Sequence, residues 1–370
     1  MSDRPLSAIV LAAGEGTRMR STRPKPLHLL CGRAMLLYVL DALGSCATKR
    51  VVVVVGHGAE RVTKKLQEHG PDEVLLDFVE QHVQRGTGDA ASVGLTAFPD
   101  DELDEAEGDV LVLPGDTPLL RPATIAALVA AHRDADAACT VLTARVPDPT
   151  GYGRVVRGKD GRVSRIVEQS DADADEREID EINTSIYCFR QSVLAPALRR
   201  LSPENAQGEY YLTDVVEVLH DAGYQVTSMV VDDFRETQGV NDRVQLAAAE
   251  AELRRRTNEG WLRLGVTMVD PERTYIDATV TLAPDVTLFP GTILQGQCVV
   301  GAGCELGPNT RLVDCVVGEG SVVEASSGRD AEVGAGAHVG PYAVLEPGSA
   351  VPDGARTGSF YTAVAADDAS

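Results

Sequence analysis

A glycine-rich turn near the start of the chain combines small residues with cationic side chains. The run 9–11 is apolar and has the length of a strand, and Gly14 and Gly16 follow it directly. Residues without a Cβ let the backbone turn tightly and approach a ligand, and successive N–H groups in such a turn bind anions. Four basic residues then crowd into a short segment: Arg18, Arg20, Arg23 and Lys25. This pattern predicts a site for a nucleoside triphosphate.

The overall charge makes this basic cluster more informative. The chain has 34 Lys and Arg residues against 56 Asp and Glu residues, which gives a net charge of −22. Such a chain repels nucleic acids and phosphorylated small molecules at long range. A phosphate site must therefore rest on a local basic cluster, on a cation, or on both. On charge alone, the alternative that these are solvated surface charges stays open.

Length and composition predict a two-domain protein of the cytoplasm. A chain of 370 residues is too long for one ordinary core, and its hydrophobic fraction of 44% is that of a globular protein. The apolar run 51–55 is too short to span a membrane, and the first residues lack the pattern of a signal peptide. The seven cysteines form no C-x-x-C pair, so we expect neither a zinc site nor disulfides.

The first part of the chain alternates between strand-like and helix-like runs. Such alternation predicts βαβ units, a parallel sheet and ligand binding beyond the carboxyl ends of its strands, which include the segments 12–14, 56–58 and 114–116. The predicted strands are 8–11, 50–55, 74–79, 110–113, 140–145, 154–157, 186–189 and 226–231, and the predicted helices are 35–43, 59–69, 88–97 and 211–222. The acidic run 171–180 is expected to be an exposed loop. These runs place a first domain at 1–247, followed by a linking helix at 248–264.

Beyond residue 264 the periodicity changes to six. Aliphatic residues recur at this interval from Leu282 to Leu312, and again from Val333 to Val351. A period of six sustained over some seventy residues is typical of a parallel β-helix. We therefore predict a β-helix at 265–356 and a flexible tail at 357–370.

Several motifs carry a resemblance to a known family. The segment 11–19 together with Lys25 resembles the signature of sugar-1-phosphate nucleotidylyltransferases. The resemblance is closest to the bifunctional N-acetylglucosamine-1-phosphate uridylyltransferases, and it extends in collinear order through 84–88, 115–119, 151–154, 166–168, 181–184, 209–214, 239–243 and 265–271. It implies a Rossmann-like nucleotidyltransferase domain with a mixed, mostly parallel sheet, followed by a short left-handed parallel β-helix that forms homotrimers.

The resemblance also implies roles for individual residues in joining UTP to N-acetylglucosamine-1-phosphate. Arg18 and Lys25 are implied as catalytic residues, with Arg18 on the leaving pyrophosphate and Lys25 at the α-phosphate. Asp116 and Asn241 are implied as ligands of Mg²⁺. The implied nucleotide-binding residues are Leu11, Ala12, Ala13, Gly14, Gln81, Gly86 and Thr87, and the implied sugar-binding residues are Gly153, Glu168, Asn183 and Thr213.

The chain departs from this family at several positions. Glu346 stands where the family has an arginine, the chain ends early in the β-helix, and it has no lysine after Lys159, so we expect acetyl transfer to be absent. Asp89 replaces a histidine, and Ser185 replaces a glycine near the sugar site.

Other interpretations of the same residues stay open. They are a nucleotidylyltransferase for another sugar-1-phosphate or base, such as glucose-1-phosphate or dTTP, and a non-catalytic nucleotide-sensing scaffold. A dinucleotide-binding fold is disfavoured because Met19 stands where its fingerprint needs a small residue. Taken alone, Asp116 could equally be a helix cap and Asn241 a turn residue.

Overall fold

A computed structural model describes residues 4–99 and 108–365 of the chain. The described residues divide into two compact units. The first contains the residues up to His28 and those from Ala34 to Gln245, and the second contains Leu29–Arg33 and the residues from Leu246 onward. No helix in the described ranges is both long enough and apolar enough to cross a membrane.

The first unit contains a mixed sheet with helices on both faces. Its strands follow the order β11-β7-β10-β6-β1-β4-β5, and β8 and β9 pair beside β10. The strands of this sheet are β1 (Leu6–Ala12), β4 (Arg50–Val55), β5 (Leu75–Glu80), β6 (Asp109–Pro114), β7 (Cys139–Arg145), β8 (Arg154–Arg157), β9 (Val163–Val167), β10 (Glu181–Arg190) and β11 (Val226–Val230). Two short strands, β2 (Leu29–Leu30) and β3 (Arg33–Ala34), form a separate ladder at the segment Leu29–Arg33 of the second unit. The helices are α1 (Met35–Gly44), α2 (Ala59–His69), α3 (Thr87–Leu95), α4 (Pro122–Asp134), α5 (Ala174–Arg177), α6 (Gln191–Leu198) and α7 (Asp214–Asp221).

The alternation of side chains along the central strands produces two cores, one on each face of this sheet. Val10 and Val53 face one core with helices α1 and α4, while Ile9 and Val52 face the other with α3, α6 and α7. Strands β1, β4 and β6 are parallel, so their carboxyl ends meet at one edge. That edge carries the glycine-rich turn and Asp116.

Several predicted elements differ from the observed ones. The strand predicted at 186–189 is the longer β10, which runs antiparallel between β6 and β7 and contains a bulge between Asn183 and Ile186. The helix predicted at 211–222 begins only at Asp214, because the residues before it form tighter turns in which the N–H groups of Asp214 and Val215 donate to Tyr211 O and Leu212 O, three residues back. The acidic run 171–180 is not only a loop, since Asp173 and Glu176 form a capping box that starts α5.

The second unit consists of helix α8 (Arg243–Arg263) and a parallel β-helix. Short strands stack into three ladders, which begin at Thr267–Met268, Tyr275–Ile276 and Thr281–Leu282. Along the first ladder lie Thr287–Leu288, Glu305–Leu306, Val322–Val323 and His338–Val339; along the second, Ile293–Gln295, Arg311–Val313, Ser327–Arg329, Val344–Leu345 and Thr362–Ala363; along the third, Val299–Val300, Val316–Val317, Glu332–Val333 and Ala350–Val351. One aliphatic residue of nearly every strand is buried inside the coils. The predicted fold class, a Rossmann-like domain with a mixed sheet followed by a left-handed β-helix, is confirmed.

Two features of the β-helix differ from the predictions made from the sequence. Leu294 pairs with Leu312 eighteen residues later, but Leu312 pairs with Gly328 after only sixteen. Inside this shorter coil a Cβ on Gly328 would lie 3.2 Å from Leu312 Cδ2 and 3.3 Å from Leu345 Cβ, so the interior has no room for a larger side chain. The prediction of a flexible tail from residue 357 is wrong for the residues described, because Thr362–Ala363 pairs with Val344–Leu345 and Ala363 is buried. Residues 366–370 of that predicted tail lie outside the described part.

Candidate active site

The glycine-rich turn lies at the carboxyl end of β1, where close backbone contacts fix its shape. Gly16 has a φ of 64°, and a Cβ there would lie 2.7 Å from Lys25 Cβ. At Gly56, after β4, a Cβ would lie 2.4 Å from Ala13 O. Glycine is therefore required at both positions for the turn to pack against its neighbours.

The predicted catalytic and metal-binding residues form one cluster. Lys25 Nζ donates to Asn241 Oδ1 at 2.8 Å and forms an ion pair with Asp116. Arg18 donates to the same oxygen of Asn241 at 3.0 Å. The loop of Asn241 is tied to that of Asp116, because the N–H of Val240 donates to Asp116 O at 2.9 Å. Four residues far apart in sequence are thus brought into hydrogen-bonding distance.

A cavity of about 340 Å³ opens beside this cluster. It is lined by all seven predicted nucleotide-binding residues and by two predicted sugar-binding residues. The predicted residues that line it are Leu11, Ala12, Ala13, Gly14, Lys25, Gln81, Gly86, Thr87, Asp116, Glu168 and Thr213. Arg18 is exposed and is not among the residues that line it.

The other predicted sugar-binding residues lie around a smaller cavity of about 250 Å³. Asn183 and Asn241 line this cavity, which shares Asp116 and Ser185 with the larger one. Gly153 lies behind both, where its carbonyl accepts from the N–H of Asn183 at 2.8 Å. A Cβ on Gly153 would lie 3.4 Å from Glu168 Oε2, so this glycine allows the carboxylate its position.

Carboxylates at the sugar side have altered acidity. Burial raises the pKa of Glu168, although Thr213 Oγ1 donates to its Oε1 at 3.3 Å. Burial, Glu217 and Glu168 together raise the pKa of Asp214 to about 6. Both shifts follow from placing negative charges close together away from water.

Three further residues belong to the site, although no role in binding or catalysis was predicted for them. Gln84 Nε2 donates to Ala13 O at 2.7 Å and so supports the turn. Asp89 accepts from Gln81 Nε2 at 2.8 Å. Tyr187 borders the larger cavity with 1% of its surface exposed, and its hydroxyl has no hydrogen-bond partner among the described residues. Gln84 lies inside the motif 84–88 and Asp89 directly follows it, so the sequence drew attention to this segment. Tyr187 lies on strand β10, where a buried tyrosine has the same sequence pattern as any residue of the core.

Comparison with known proteins defines the class to which this site belongs. Residues 8–222 match the model of the MobA-like NTP transferase domain. The chain is 46% identical to the bifunctional protein GlmU of Streptomyces coelicolor, with 97% of this chain and 73% of that protein covered. It is 42% identical to the bifunctional protein GlmU of Halalkalibacterium halodurans, with 95% and 75% covered, and 46% identical to that of a Mycobacterium species, with 97% and 71% covered.

The cavity and its cationic turn are therefore those of a nucleotidyltransferase. More specifically, the chain belongs to the family of bifunctional GlmU proteins. The predicted enzyme class, a UDP-N-acetylglucosamine diphosphorylase, is confirmed by this membership. Nucleotide and sugar-phosphate substrates follow from the same membership.

Proposed function

We propose that the first unit joins UTP to N-acetylglucosamine-1-phosphate and releases pyrophosphate. The observation that carries this proposal is the cluster of Lys25, Asp116 and Asn241 beside a cavity lined by both the phosphate turn and the predicted sugar residues. An oxygen of the sugar phosphate attacks the α-phosphorus of UTP in line. The bond from this phosphorus to the bridging oxygen of the β-phosphate breaks, and the electron pair leaves with pyrophosphate.

The positions of the two catalytic cations suit different parts of this reaction. Lys25 is partly buried at the cavity, where its ammonium group can approach the α-phosphate. Arg18 is exposed outside it, where a guanidinium fork suits the oxygens of a leaving pyrophosphate. Such reactions depend mainly on positioning and on neutralising charge, which both groups supply.

We also propose that Asp116 and Asn241 bind Mg²⁺. A carboxylate and an amide oxygen converge on one positive group, Lys25 Nζ, so these two oxygens are already placed for a cation. Mg²⁺ prefers oxygen ligands and usually keeps several waters or phosphate oxygens, so two protein ligands suffice. When bound, Mg²⁺ would neutralise negative charge on the phosphate oxygens.

The sugar would lie against Glu168, Asn183, Thr213 and the backbone at Gly153. Glu168 and Thr213 line the larger cavity, and Asn183 lines the smaller one that adjoins it at Asp116 and Ser185. Buried carboxylate and amide groups that hydrogen-bond a substrate discriminate strongly against analogues that lack the matching hydroxyl or amide. We therefore assign the choice of sugar to these side chains.

A screen of pyrophosphate release tests the proposed function. The protein would be incubated with Mg²⁺ and with each combination of UTP, dTTP or CTP and N-acetylglucosamine-1-phosphate or glucose-1-phosphate. We expect the highest rate with UTP and N-acetylglucosamine-1-phosphate. A higher rate with glucose-1-phosphate or dTTP would support the alternative substrates. Ser185, which replaces a glycine of the family, lines both cavities and would then be the first residue to consider for a different sugar. The absence of release from every pair would support a non-catalytic scaffold.

The predicted absence of acetyl transfer is not supported by the comparisons, because the relatives are named bifunctional proteins. It stays a prediction that depends on Glu346. This exposed carboxylate borders a shallow cleft on the β-helix together with Arg311 and Arg329. Incubation with acetyl-CoA and glucosamine-1-phosphate is expected to release no free CoA, and turnover above background would refute the prediction.

The homotrimer and the domain limits 1–247, 248–264 and 265–356 also stay proposals. Outward-facing valines on the β-helix, Val299, Val316 and Val344, are between 41% and 48% exposed and support an interface on that unit. Light scattering at micromolar concentration should give the mass of three chains. The mass of one chain would exclude the trimer.

A further inference from the structure

A glutamine in the wall of the larger cavity, Gln81, has an amide NH₂ group that is already engaged. Gln81 Nε2 donates to Asp89 Oδ2 at 2.8 Å and to Gly86 O at 3.4 Å. Among the described residues, no group donates a hydrogen bond to Gln81 Oε1. Because Gln81 lines the cavity, its carbonyl oxygen is the group that remains for a ligand.

The chemistry of Asp89 leaves this amide only one orientation. A carboxylate accepts hydrogen bonds and cannot donate them, so the NH₂ group of Gln81 must face Asp89. If the amide rotated by half a turn, two oxygens would meet without a proton between them. A neutral partner such as asparagine could accept or donate, and it would accommodate both orientations.

Asp89 is also held from a second side. Arg85 Nη2 forms an ion pair with the other carboxylate oxygen, Oδ1, at 2.9 Å, and Asp89 lies in the first turn of α3, where a negative side chain is favoured. The side chain of Asp89 is only 11% exposed. The contact with Gln81 is therefore held away from bulk water.

We propose that Asp89 is a positioning residue that sets the base selectivity of the enzyme through Gln81. This inference rests on the proposed function and on the implied role of Gln81 in nucleotide binding, which we assign to the base. A fixed carbonyl oxygen accepts from the N3–H group that uracil and thymine share. It opposes cytosine, whose N3 is a lone-pair acceptor. Asp89 thus selects UTP and dTTP over CTP without contacting the base.

The test compares kcat/KM for UTP, dTTP and CTP in the wild type and in Asp89→Asn. One hydrogen bond gained or opposed in a buried site changes selectivity at least about tenfold, so the UTP:CTP ratio should fall by that factor. The UTP:dTTP ratio should stay unchanged, because both bases carry N3–H. A merely structural role for Asp89 would lower all three values together and leave both ratios intact.

Two further variants make the test specific. Asp89→Glu keeps an acceptor-only group and should keep most of the UTP:CTP ratio, whereas Asp89→Ser should lose it. Glu80→Gln removes one negative charge from an exposed neighbour of Gln81 and should leave the ratio as in the wild type. Asp89→Ser also provides the measurement if Asp89→Asn does not fold.

The outcomes separate this inference from the proposed function. A wild type that releases no pyrophosphate from any nucleotide would overturn the proposed function. An active wild type whose UTP:CTP ratio survives in both Asp89→Asn and Asp89→Ser would overturn only the role of Asp89. A wild type that uses UTP and CTP equally would overturn it as well.

Discussion

The two ends of the larger cavity handle charge in opposite ways. At the phosphate end, Lys25 forms an ion pair with Asp116 and a hydrogen bond with Asn241, so opposite charges compensate one another. At the sugar end, Glu168 lines the cavity, and Asp214 follows the lining residue Thr213 without lining it; burial raises the pKa of both carboxyl groups. The charged groups of the phosphate end already pair with one another without substrate. The sugar end instead holds two like charges close together, which lowers the stability of the protein.

This difference indicates where each kind of variant should act. Removing a charge at the phosphate end leaves a partner uncompensated and takes away a group that the reaction needs. Removing a charge at the sugar end relieves repulsion, so the protein should gain stability while it loses substrate affinity. The predictions below test this contrast.

The largest effect is expected for Lys25→Ala. The loss of a preorganised cation at the reacting phosphate should lower kcat by roughly 10²–10³-fold, as for the loss of one oxyanion-stabilising donor. The measurement is pyrophosphate release under saturating substrates, with Lys64→Ala, an exposed lysine on α2, as the control. A decrease below tenfold would remove Lys25 from the reaction.

Asp116→Asn should change the dependence on metal. The variant keeps the shape of the side chain but removes the only carboxylate of the proposed Mg²⁺ pair. The Mg²⁺ concentration for half-maximal activity should rise by at least about tenfold, since even residues outside the ligand shell change metal affinity by that much. Titration of activity with MgCl₂ measures this, and Asp134→Asn, an exposed acid on α4, is the control. An unchanged midpoint would contradict the assignment.

At the sugar end, Glu168→Gln should weaken binding of the sugar phosphate selectively. Hydrogen bonds to a charged group contribute about 1.5–3 kcal/mol, so KM for the sugar phosphate should rise roughly tenfold or more. KM for UTP should change little, because Glu168 is assigned to the sugar and not to the nucleotide. Steady-state kinetics with each substrate varied in turn checks this. An equal rise in both KM values would show a general loss of structure.

The smallest effect concerns stability and pH. The folded protein binds the proton of Asp214 more tightly than the unfolded chain does, because its pKa is raised to about 6. Its contribution to stability is therefore present at low pH and is lost as pH rises from about 4 through about 6. Asp214→Asn should raise the free energy of unfolding at pH 7.5 by roughly 1–2 kcal/mol and have less effect at pH 4.5, where the Asp214 carboxyl of the folded protein is largely protonated.

Thermal unfolding of the two proteins at both pH values measures this change. Asp221→Asn, an exposed acid at the other end of α7, should not change the difference between the two pH values. If Asp214→Asn were less stable than the wild type at pH 7.5, the prediction would be wrong, because the Asp214 carboxylate would then stabilise the fold despite its acidic neighbours.

Sequence patterns predicted the elements of the phosphate end well, because the residues that specify each of these elements lie next to one another in the sequence. The apolar run before Gly14 and the small residues after it specify a strand and a turn within a few positions. The parallel strands β4 and β6 are likewise short apolar runs, so the meeting of their carboxyl ends followed from the alternation. The direct contact of Lys25 with Asp116 was not predicted, since it joins residues 91 positions apart.

The sugar end was harder to predict, because it depends on pairing between distant strands. Strand β10 enters the sheet antiparallel between β6 and β7, and its bulge places Ser185 at a φ of 62°. No local pattern indicates either the insertion or the bulge. The roles of Glu168 and Asn183 therefore came from resemblance, while the involvement of Tyr187 and the contact of Asp89 with Gln81 came only from the structure.

The short coil of the β-helix has a consequence for how this unit can change length. Each coil contacts only the coils directly before and after it, so its cross-section is set locally. The coil around Gly328 is shorter by two separate losses of one residue, since Val317 follows Leu312 by five positions and Gly328 follows Val323 by five. The later inward residues, among them Val333, Val339 and Leu345, are nevertheless buried. Length in this unit is therefore adjustable by single residues, because each loss is absorbed in the turn between two faces while the strands on either side keep their pairing.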